Sequence, residues 1–314
     1  MPIATRRSPL ALVQARDVQA KLAVAHNIAD ADREEAFPIL GLVSTGDKIQ
    51  DRTLQEAGGK GLFTKEIDEA QLDGRAAYAV HSMKDVPTQW PAGLILGATL
   101  EREDPRDMLL ARGGETRLVD LPKGVVIGTA SLRRQAQLLH ARPDLTVVPI
   151  RGNVATRLSK LESGEVYATF LARAGLNRLG QPEAKADPLE ITEMLPAVAQ
   201  GAVGVAVRDD DAYAQDILKP LNHVDTEMAI TAERAFLAAL DGSCRTPIAA
   251  HVDLETLDFV GEVLTPDGQK KWREQGSLKM SERTLEAMAA AGHQYGMAVR
   301  RAAGPALLAV IETA

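Results

Sequence analysis

Cysteine is nearly absent from this chain: there is one in 314 residues, Cys244. A single thiol excludes an intrachain disulfide and leaves no second thiolate for a metal site. It is also the usage expected of a protein kept in a reducing cytoplasm. Long apolar runs are missing too. Arg6, Arg7, Gln14, Arg16 and Asp17 interrupt residues 1–25, so no secretory segment is expected there, and no later run is long enough to span a membrane. Positive charge is not in excess. With 36 Lys and Arg against 43 Asp and Glu the net charge is −7, which argues against a nucleic-acid binder built on phosphate contacts. The six histidines (26, 81, 140, 223, 251, 293) form no short ligand spacing, so no metal is expected. The glycine-rich stretch 58–63, GGKGLF, has neither Walker nor Rossmann spacing.

What is present is the composition of a soluble globular protein, 45% hydrophobic and 25% charged. At 314 residues the chain exceeds one ordinary core, so two or three domains are expected. Residues 2–5 read as a strand, Ser8 as an N-cap and Pro9 as the first residue of a helix. Ala11, Ala15, Val18 and Leu22 continue that helix at its own spacing. Further strands are expected at 38–44, 76–80, 124–128, 145–150, 166–172 and 203–207, with helices between, one at 64–72 and another capped by Ser131. Such alternation predicts parallel, doubly wound α/β sheets. From residue 224 the pattern changes to a helix at 226–240, strands at 248–253, 257–264 and 271–277, a helix capped by Ser281, and an apolar tail at 306–311. That predicts a small C-terminal α+β domain.

Polar residues fall at one kind of place. Arg6, Asp47, Lys84, Asp85, Arg133, Arg134, Arg151 and Arg157 all lie at or just beyond the carboxyl ends of predicted strands. Open α/β sheets bind ligands in that crevice, and helix N-termini there add positive potential. One such arginine is ordinarily a solvated helix end. Eight polar residues at equivalent positions instead indicate an anionic ligand with several carboxylates or phosphates, gripped bidentately. Asp85, at the mouth of a buried strand, is either a surface-loop partner of Lys84 or a carboxylate that shuttles protons and stabilises a cation.

Cys244 sits in the loop Asp241-Gly242-Ser243-Cys244-Arg245-Thr246-Pro247 between a helix and an apolar strand. It is a small buried apolar side chain, a nucleophile with a base nearby, or an attachment point for a covalent group. The loop and the adjacent Arg245 favour an accessible, thiolate-prone sulfur.

HSMKDVP from His81, REDPRD from Arg102, GTASLRRQ from Gly128, RGNVATRLSKL from Arg151, PAVAQGAVG from Pro196 and the GSCRTPI loop stand in one order along the chain. Together they resemble the porphobilinogen deaminase (hydroxymethylbilane synthase) family over nearly its whole length. The resemblance implies two domains like the halves of periplasmic binding proteins, residues 1–100 with 200–221 and residues 101–199, plus a cysteine domain at 222–314. It implies a cytoplasmic, monomeric transferase of haem and porphyrin biosynthesis, with porphobilinogen as substrate and neither nucleic acid nor membrane as partner. By the same resemblance a dipyrromethane is joined through a thioether to Cys244. Four porphobilinogen molecules are deaminated and added to its free end, and the tetrapyrrole is cut off by water. Asp85 matches the carboxylate that stabilises the cationic intermediates, with Arg6 and Lys84 beside it. Lys84, Asp85, Ser131, Arg133, Arg134 and Arg157 match the cofactor site. Arg6, Ser8, Gln14, Lys60, Phe63, Ser82, Arg151, Arg157, Arg178 and Gln200 match the substrate site. Thr45, Glu56, Ala130, Tyr167 and Ser243 depart from the family's usual residues, which leaves the rate open to change. Two other classes remain: an anion-binding receptor with an incidental cysteine, and a Cys–His hydrolase.

Overall fold

A computed structural model describes residues 1–48, 61–243, 246–279 and 283–312 of the chain. It begins with β1 (Ile3–Arg6), α1 (Pro9–Ala25), α2 (Arg33–Ala36), β2 (Ile39–Leu42), α3 (Thr45–Lys48), α4 (Lys65–Leu72), β3 (Tyr78–Ser82) and β4 (Leu94–Thr99). Next come β5 (Asp107–Ala111), β6 (Val126–Gly128), α5 (Leu132–Ala141), β7 (Thr146–Val148), α6 (Val154–Glu162), β8 (Ala168–Ala172) and α7 (Arg173–Arg178). After these the chain runs through β9 (Val203–Arg208) and α8 (Ala212–Leu218). It finishes with α9 (Val224–Ala239), β10 (Ile248–Val252), β11 (Asp258–Leu264), β12 (Lys271–Ser277), α10 (Leu285–Ala303) and α11 (Pro305–Glu312).

Three sheets form, in the orders β2-β1-β3-β9-β4, β5-β8-β6-β7 and β10-β11-β12. Alternation runs through β1, β3 and β9 of the first sheet, while β4 shifts register between Leu96 and Ala98. Ile3, Tyr78, Val80, Val205 and Val207 pack on one face with Ala15, Val18 and Leu22 of α1. Ala4, Ala79 and Ala206 pack on the other with Ile67 and Ala70 of α4. That is the period-2 pattern of a sheet covered by helices on both faces. The second sheet repeats it, with Leu109, Ile127 and Phe170 on one side and Met108, Leu110 and Leu171 on the other.

The sheets are not wholly parallel as expected. β1 lies parallel to β2 and β3, and β6 parallel to β7 and β8. However, β9 runs antiparallel to β3 and β4, and β5 antiparallel to β8. The cause is the route of the chain. It leaves the first sheet after β4 and re-enters it as β9, so strands next to a crossing run the opposite way. β4 and β5 have no helix between them, which hid both from a pattern that looked for alternation.

Side chains cap helices at Ser8 and Ser131, as their positions predict, and also at Asn153. Ser8 Oγ accepts from the Ala11 amide (3.3 Å), Ser131 Oγ from Arg134 (3.4 Å) and Asn153 Oδ1 from Thr156 (3.0 Å). Toward the C-terminus two expectations are corrected. Thr284 caps α10, whereas Ser281 lies outside the described residues, and the apolar tail is helical as α11. The third core joins Phe236, Phe259, Val263, Met288 and Val299 to Met83, Val86, Val198, Ala199 and Ala202. The C-terminal unit therefore packs on the turn after β3 and on the second crossing segment.

Candidate active site

Arg6 ends β1, and the turn Met83–Asp85 follows β3, so the two neighbouring strands deliver their polar ends to one edge. Arg6 forms a two-point ion pair with Asp47, and its Nη1 lies 3.8 Å from Asp85 Oδ2. Its guanidinium stacks 4.4 Å from the Phe63 ring centroid. Ser44 donates to Asp47 (2.7 Å), which fixes the carboxylate that holds Arg6. Beside them Gln14 and Ser82 are hydrogen bonded to each other (2.9 Å). Arg6, Gln14, Phe63, Thr64, His81, Ser82 and Asp85 line one small pocket.

The neighbouring Lys84 leads to the second sheet. Its Nζ lies 3.4 Å from Gln200 Oε1, and Gln200 Nε2 donates to Asp107 Oδ1 (2.9 Å) and to the Pro105 carbonyl (2.6 Å). Asp107, the first residue of β5, then accepts from Arg133 and Arg134 at 2.7 Å each. The two arginines lie in the first turn of α5 and are only 4% and 5% exposed, so this is a buried charge cluster rather than a solvated helix end. Their remaining guanidinium bonds go to the carbonyls of Leu195 (2.8 Å) and Phe170 (2.8 Å), and both Nε atoms are buried without a partner. Polar contacts thus run from Asp47 through Arg6 to Asp85, and from the adjacent Lys84 through Gln200 to Arg133 and Arg134.

Electrostatics fit a site made for anions. Burial would raise the Asp107 carboxyl, but the charges of Arg133 and Arg134 prevail and hold it far below the usual range. Burial lowers Lys84 to about 8, partly offset by Asp85. Burial, with the charges of Arg134 and Arg151, lowers Arg157 to about 10. Among the described residues, Arg6, Lys84, Arg133, Arg134, Arg151 and Arg157 thus gather around fewer acids, Asp47, Asp85 and Asp107, with Glu262 acting on Arg133. Burial and neighbouring cations lower Lys84, Arg133 and Arg157, and a ligand bearing carboxylates would relieve that excess of positive charge. A polyanionic dipyrromethane fits that donor set.

The other sequence candidates divide. Ser8 and Ser131 accept helix-cap amides through Oγ, which leaves each O–H able to donate to a ligand, and Arg178 Nη2 donates to the Gly201 carbonyl (2.9 Å) at the second crossing. Arg157 Nε donates to Gly152 O (3.1 Å) at the start of α6. Lys60, Glu56 and Cys244 lie outside the described residues. Just before Cys244, the Ser243 amide donates to Thr246 Oγ1 (3.0 Å), and the Thr246 hydroxyl returns to Ser243 O (2.7 Å). Of the departures, Thr45 bonds to Glu66, and Tyr167 donates to Glu115 (2.7 Å) at the start of β8, the end of that strand away from Arg173. Two residues escaped sequence reasoning. Asp107 was inside the REDPRD motif but has no neighbour in sequence that marks it as a partner of Arg133 and Arg134. Arg102 is joined to Glu233 at 2.6 Å across 131 residues, which no local pattern reveals. A roomier cleft of about 430 Å³, lined by His140, Arg142, Glu262, Lys271 and Arg273 among others, lies beside this site and shares Leu195 with it. No helix among the described residues is long and apolar enough to cross a membrane.

Comparison with known proteins bears on this arrangement. Residues 1–216 match the family described as porphobilinogen deaminase, dipyromethane cofactor binding domain, and residues 228–291 match porphobilinogen deaminase, C-terminal domain. The chloroplastic porphobilinogen deaminase of Oryza sativa subsp. japonica is 47% identical over 306 residues, covering 96% of this chain and 84% of that protein. A porphobilinogen deaminase of a Caulobacter species is 48% identical over 312 residues, covering 98% and 97%. Among solved structures, the periplasmic aliphatic sulphonate binding protein of Escherichia coli aligns with a TM-score of 0.40 and 14% identity, over 77% of this chain and 70% of that one.

Proposed function

The chain belongs to the porphobilinogen deaminase family, and from that premise we propose how its own residues divide the work. It is a transferase of tetrapyrrole biosynthesis that deaminates four porphobilinogen molecules and joins them head to tail on a dipyrromethane, releasing hydroxymethylbilane. Bound through a thioether to Cys244, the dipyrromethane supplies the nucleophilic pyrrole carbon at which the chain grows. Lys84, Ser131, Arg133, Arg134 and Arg157 hold its carboxylates, and Asp85 lies beside it. Arg6, Ser8, Gln14, Phe63, Ser82, Arg151, Arg178 and Gln200 receive the acetate, propionate and amino groups of the incoming substrate, with Lys60 counted among the same substrate-binding residues. The support is the run of contacts from Arg6 and Asp85 through Lys84 and Gln200 to Arg133 and Arg134.

Within that site the Asp85 carboxylate faces the place where positive charge develops as ammonia leaves the substrate, and it accepts the pyrrole N–H. Arg6 orients Asp85 from 3.8 Å and keeps a second face for a substrate carboxylate. Lys84, lowered to about 8, stays charged at neutral pH. Three units carry the site: residues 1–100 with 200–221, residues 101–199, and residues 222–314. One chain supplies every residue named, so a cytoplasmic monomer suffices, and the net charge of −7 gives nucleic acid no hold.

Intact mass after incubation with porphobilinogen tests this. The wild type is expected to carry two pyrrole units beyond the bare chain and then add up to four more. Cys244→Ala should have the bare mass and no activity. Asp85→Asn should carry the two units but extend them on the order of a hundredfold more slowly or worse. A wild-type protein of bare mass that binds porphobilinogen reversibly would instead be an anion receptor.

A further inference from the structure

Behind the substrate pocket lie two titratable side chains to which the roles above give no work. Asp68, on α4, and His81, on β3, meet with Oδ1 and Nε2 3.8 Å apart, and their side chains are 9% and 3% exposed. Among the described residues neither atom has a hydrogen-bond partner. Buried polar atoms are nearly always satisfied, and unsatisfied ones cluster where a function requires them. His81 and Thr64 both line the pocket that holds Arg6, Gln14, Ser82 and Asp85. Trp90 covers the imidazole edge-on at 6.2 Å. The charged groups around the pair are Arg6 from β1, Glu66 and Glu69 from α4, Asp85 from the turn after β3, and Arg208 of β9, which reaches Gln71 O at the far end of α4.

We propose that Asp68 and His81 form a proton-accepting pair in the wall of the pocket, an inference that rests on the porphobilinogen reading. Each extension needs such a group. The substrate's C–N bond breaks with its electron pair leaving on nitrogen as ammonia. The acceptor pyrrole forms the new C–C bond, its α C–H bond then breaks, and that electron pair returns to the ring. His81 accepts the released proton and passes it to the ammonia, which departs as ammonium, so the pair is restored for the next addition. Asp68 acts through His81: its carboxylate, 3.8 Å from Nε2, stabilises the imidazolium by its charge rather than through a hydrogen bond. Asp85 is already engaged with Arg6 and with the positive charge of the substrate. Burial, and then the charge of Arg6, lowers His81 to about 4, so it rests neutral. Burial raises Asp68 to about 6, against the Thr64 hydroxyl and with Glu66 and Glu69, so at pH 7 it is mostly the carboxylate that a charged His81 needs beside it.

Two measurements on the cofactor-loaded protein test the pair. With porphobilinogen deuterated at its free α carbon, His81→Asn should lower kcat on the order of a hundredfold and enlarge the isotope effect, as loss of a general base does. The second is the NMR titration of the His81 ring, identified by its loss in His81→Asn. In Asp68→Asn its midpoint should move down, because a stabilising anion is gone. His81→Asn turnover within threefold of wild type with an unchanged isotope effect would overturn the proposal, as would an unmoved midpoint. If His81→Asn fails to fold or to retain the two pyrrole units, Asp68→Asn decides: a roughly tenfold lower kcat with a larger isotope effect supports the pair, and wild-type kinetics sink it. A wild-type protein that never releases hydroxymethylbilane defeats the functional reading instead, and the titration then still reports whether the two side chains interact.

Discussion

Asp107 is the residue on which the cationic half of the site balances. It is fully buried and bonds to Arg133, Arg134 and Gln200 together. Removing one member of a buried ion pair leaves an uncompensated charge and costs about 3–5 kcal/mol. Asp107→Asn should therefore lower the melting temperature at neutral pH by about 5–10 °C, near the upper range for a chain of this length. The pH dependence has a definite sign. The native carboxyl is depressed, so its contribution is complete above the unfolded value of about 4 and is lost as pH falls toward the native one. Thermal melts from pH 7 to 3 should show the difference between wild type and Asp107→Asn shrinking on the acid side. A gap that stays constant through that range would mean that Asp107 does not carry the charge balance.

At the scale of elements, the two crossing segments make the hinge on which everything else is hung. Glu103 on the first and Gly201 on the second touch through backbone: the Glu103 amide donates to Gly201 O (3.3 Å), and a Cβ at residue 201 would lie 2.2 Å from Glu103 O. Gly201 also has φ +90°, where side chains are strained. Gly201→Ala should cost about 2 kcal/mol or more, since strained backbone and a clash with unyielding backbone add. Because Gln200 precedes it and bridges Lys84 to Asp107, the same variant should retain less than the full two-pyrrole mass. Melting temperature and intact mass check both parts. A fully loaded, equally stable Gly201→Ala would show that the crossing tolerates spreading.

Seen whole, the molecule is joined at Glu233 of α9. Its carboxylate takes both Arg102 Nη atoms (2.6 and 3.1 Å), the Ala199 amide (2.7 Å) and the Val252 amide (2.8 Å). One side chain thus ties both crossings to the C-terminal unit, in the helix that leads toward Cys244. The next residue, Arg234, donates to the carbonyls of Val86 (3.1 Å) and Pro87 (2.6 Å) just beyond Asp85. Glu233→Gln should be destabilised by about 3 kcal/mol, while Arg102→Met combined with Glu233→Met should cost less than the sum of the single changes. Chemical unfolding of the four proteins measures the coupling. Additive losses would mean that the ion pair is not what holds the units together.

Much of this protein was determined locally and could be read without a structure. Ser8 and Ser131 cap helices because a short side-chain oxygen at that position satisfies a free amide, whatever surrounds it. The alternation of Ile3 with Ala4, and of Val80 with Ala79, marks a two-faced sheet because strand geometry alone sends successive side chains apart. Arg6, Asp85, Arg133 and Arg134 stood out by lying at the carboxyl ends of strands, and the motifs around them carried the family. Tertiary structure decided the rest, where the partners are remote in sequence. The direction of β9 depends on the path the chain takes through a second unit. Asp107 meets Arg133 and Arg134 across 26 and 27 residues, and Asp68 stands behind His81 because α4 packs on β3. Glu233 reaches Arg102 only once α9 has packed against the segment that follows β4. Charges that balance at such distances leave no periodicity and no short motif, because it is the packing of the sheets, and not neighbouring residues, that brings them within reach.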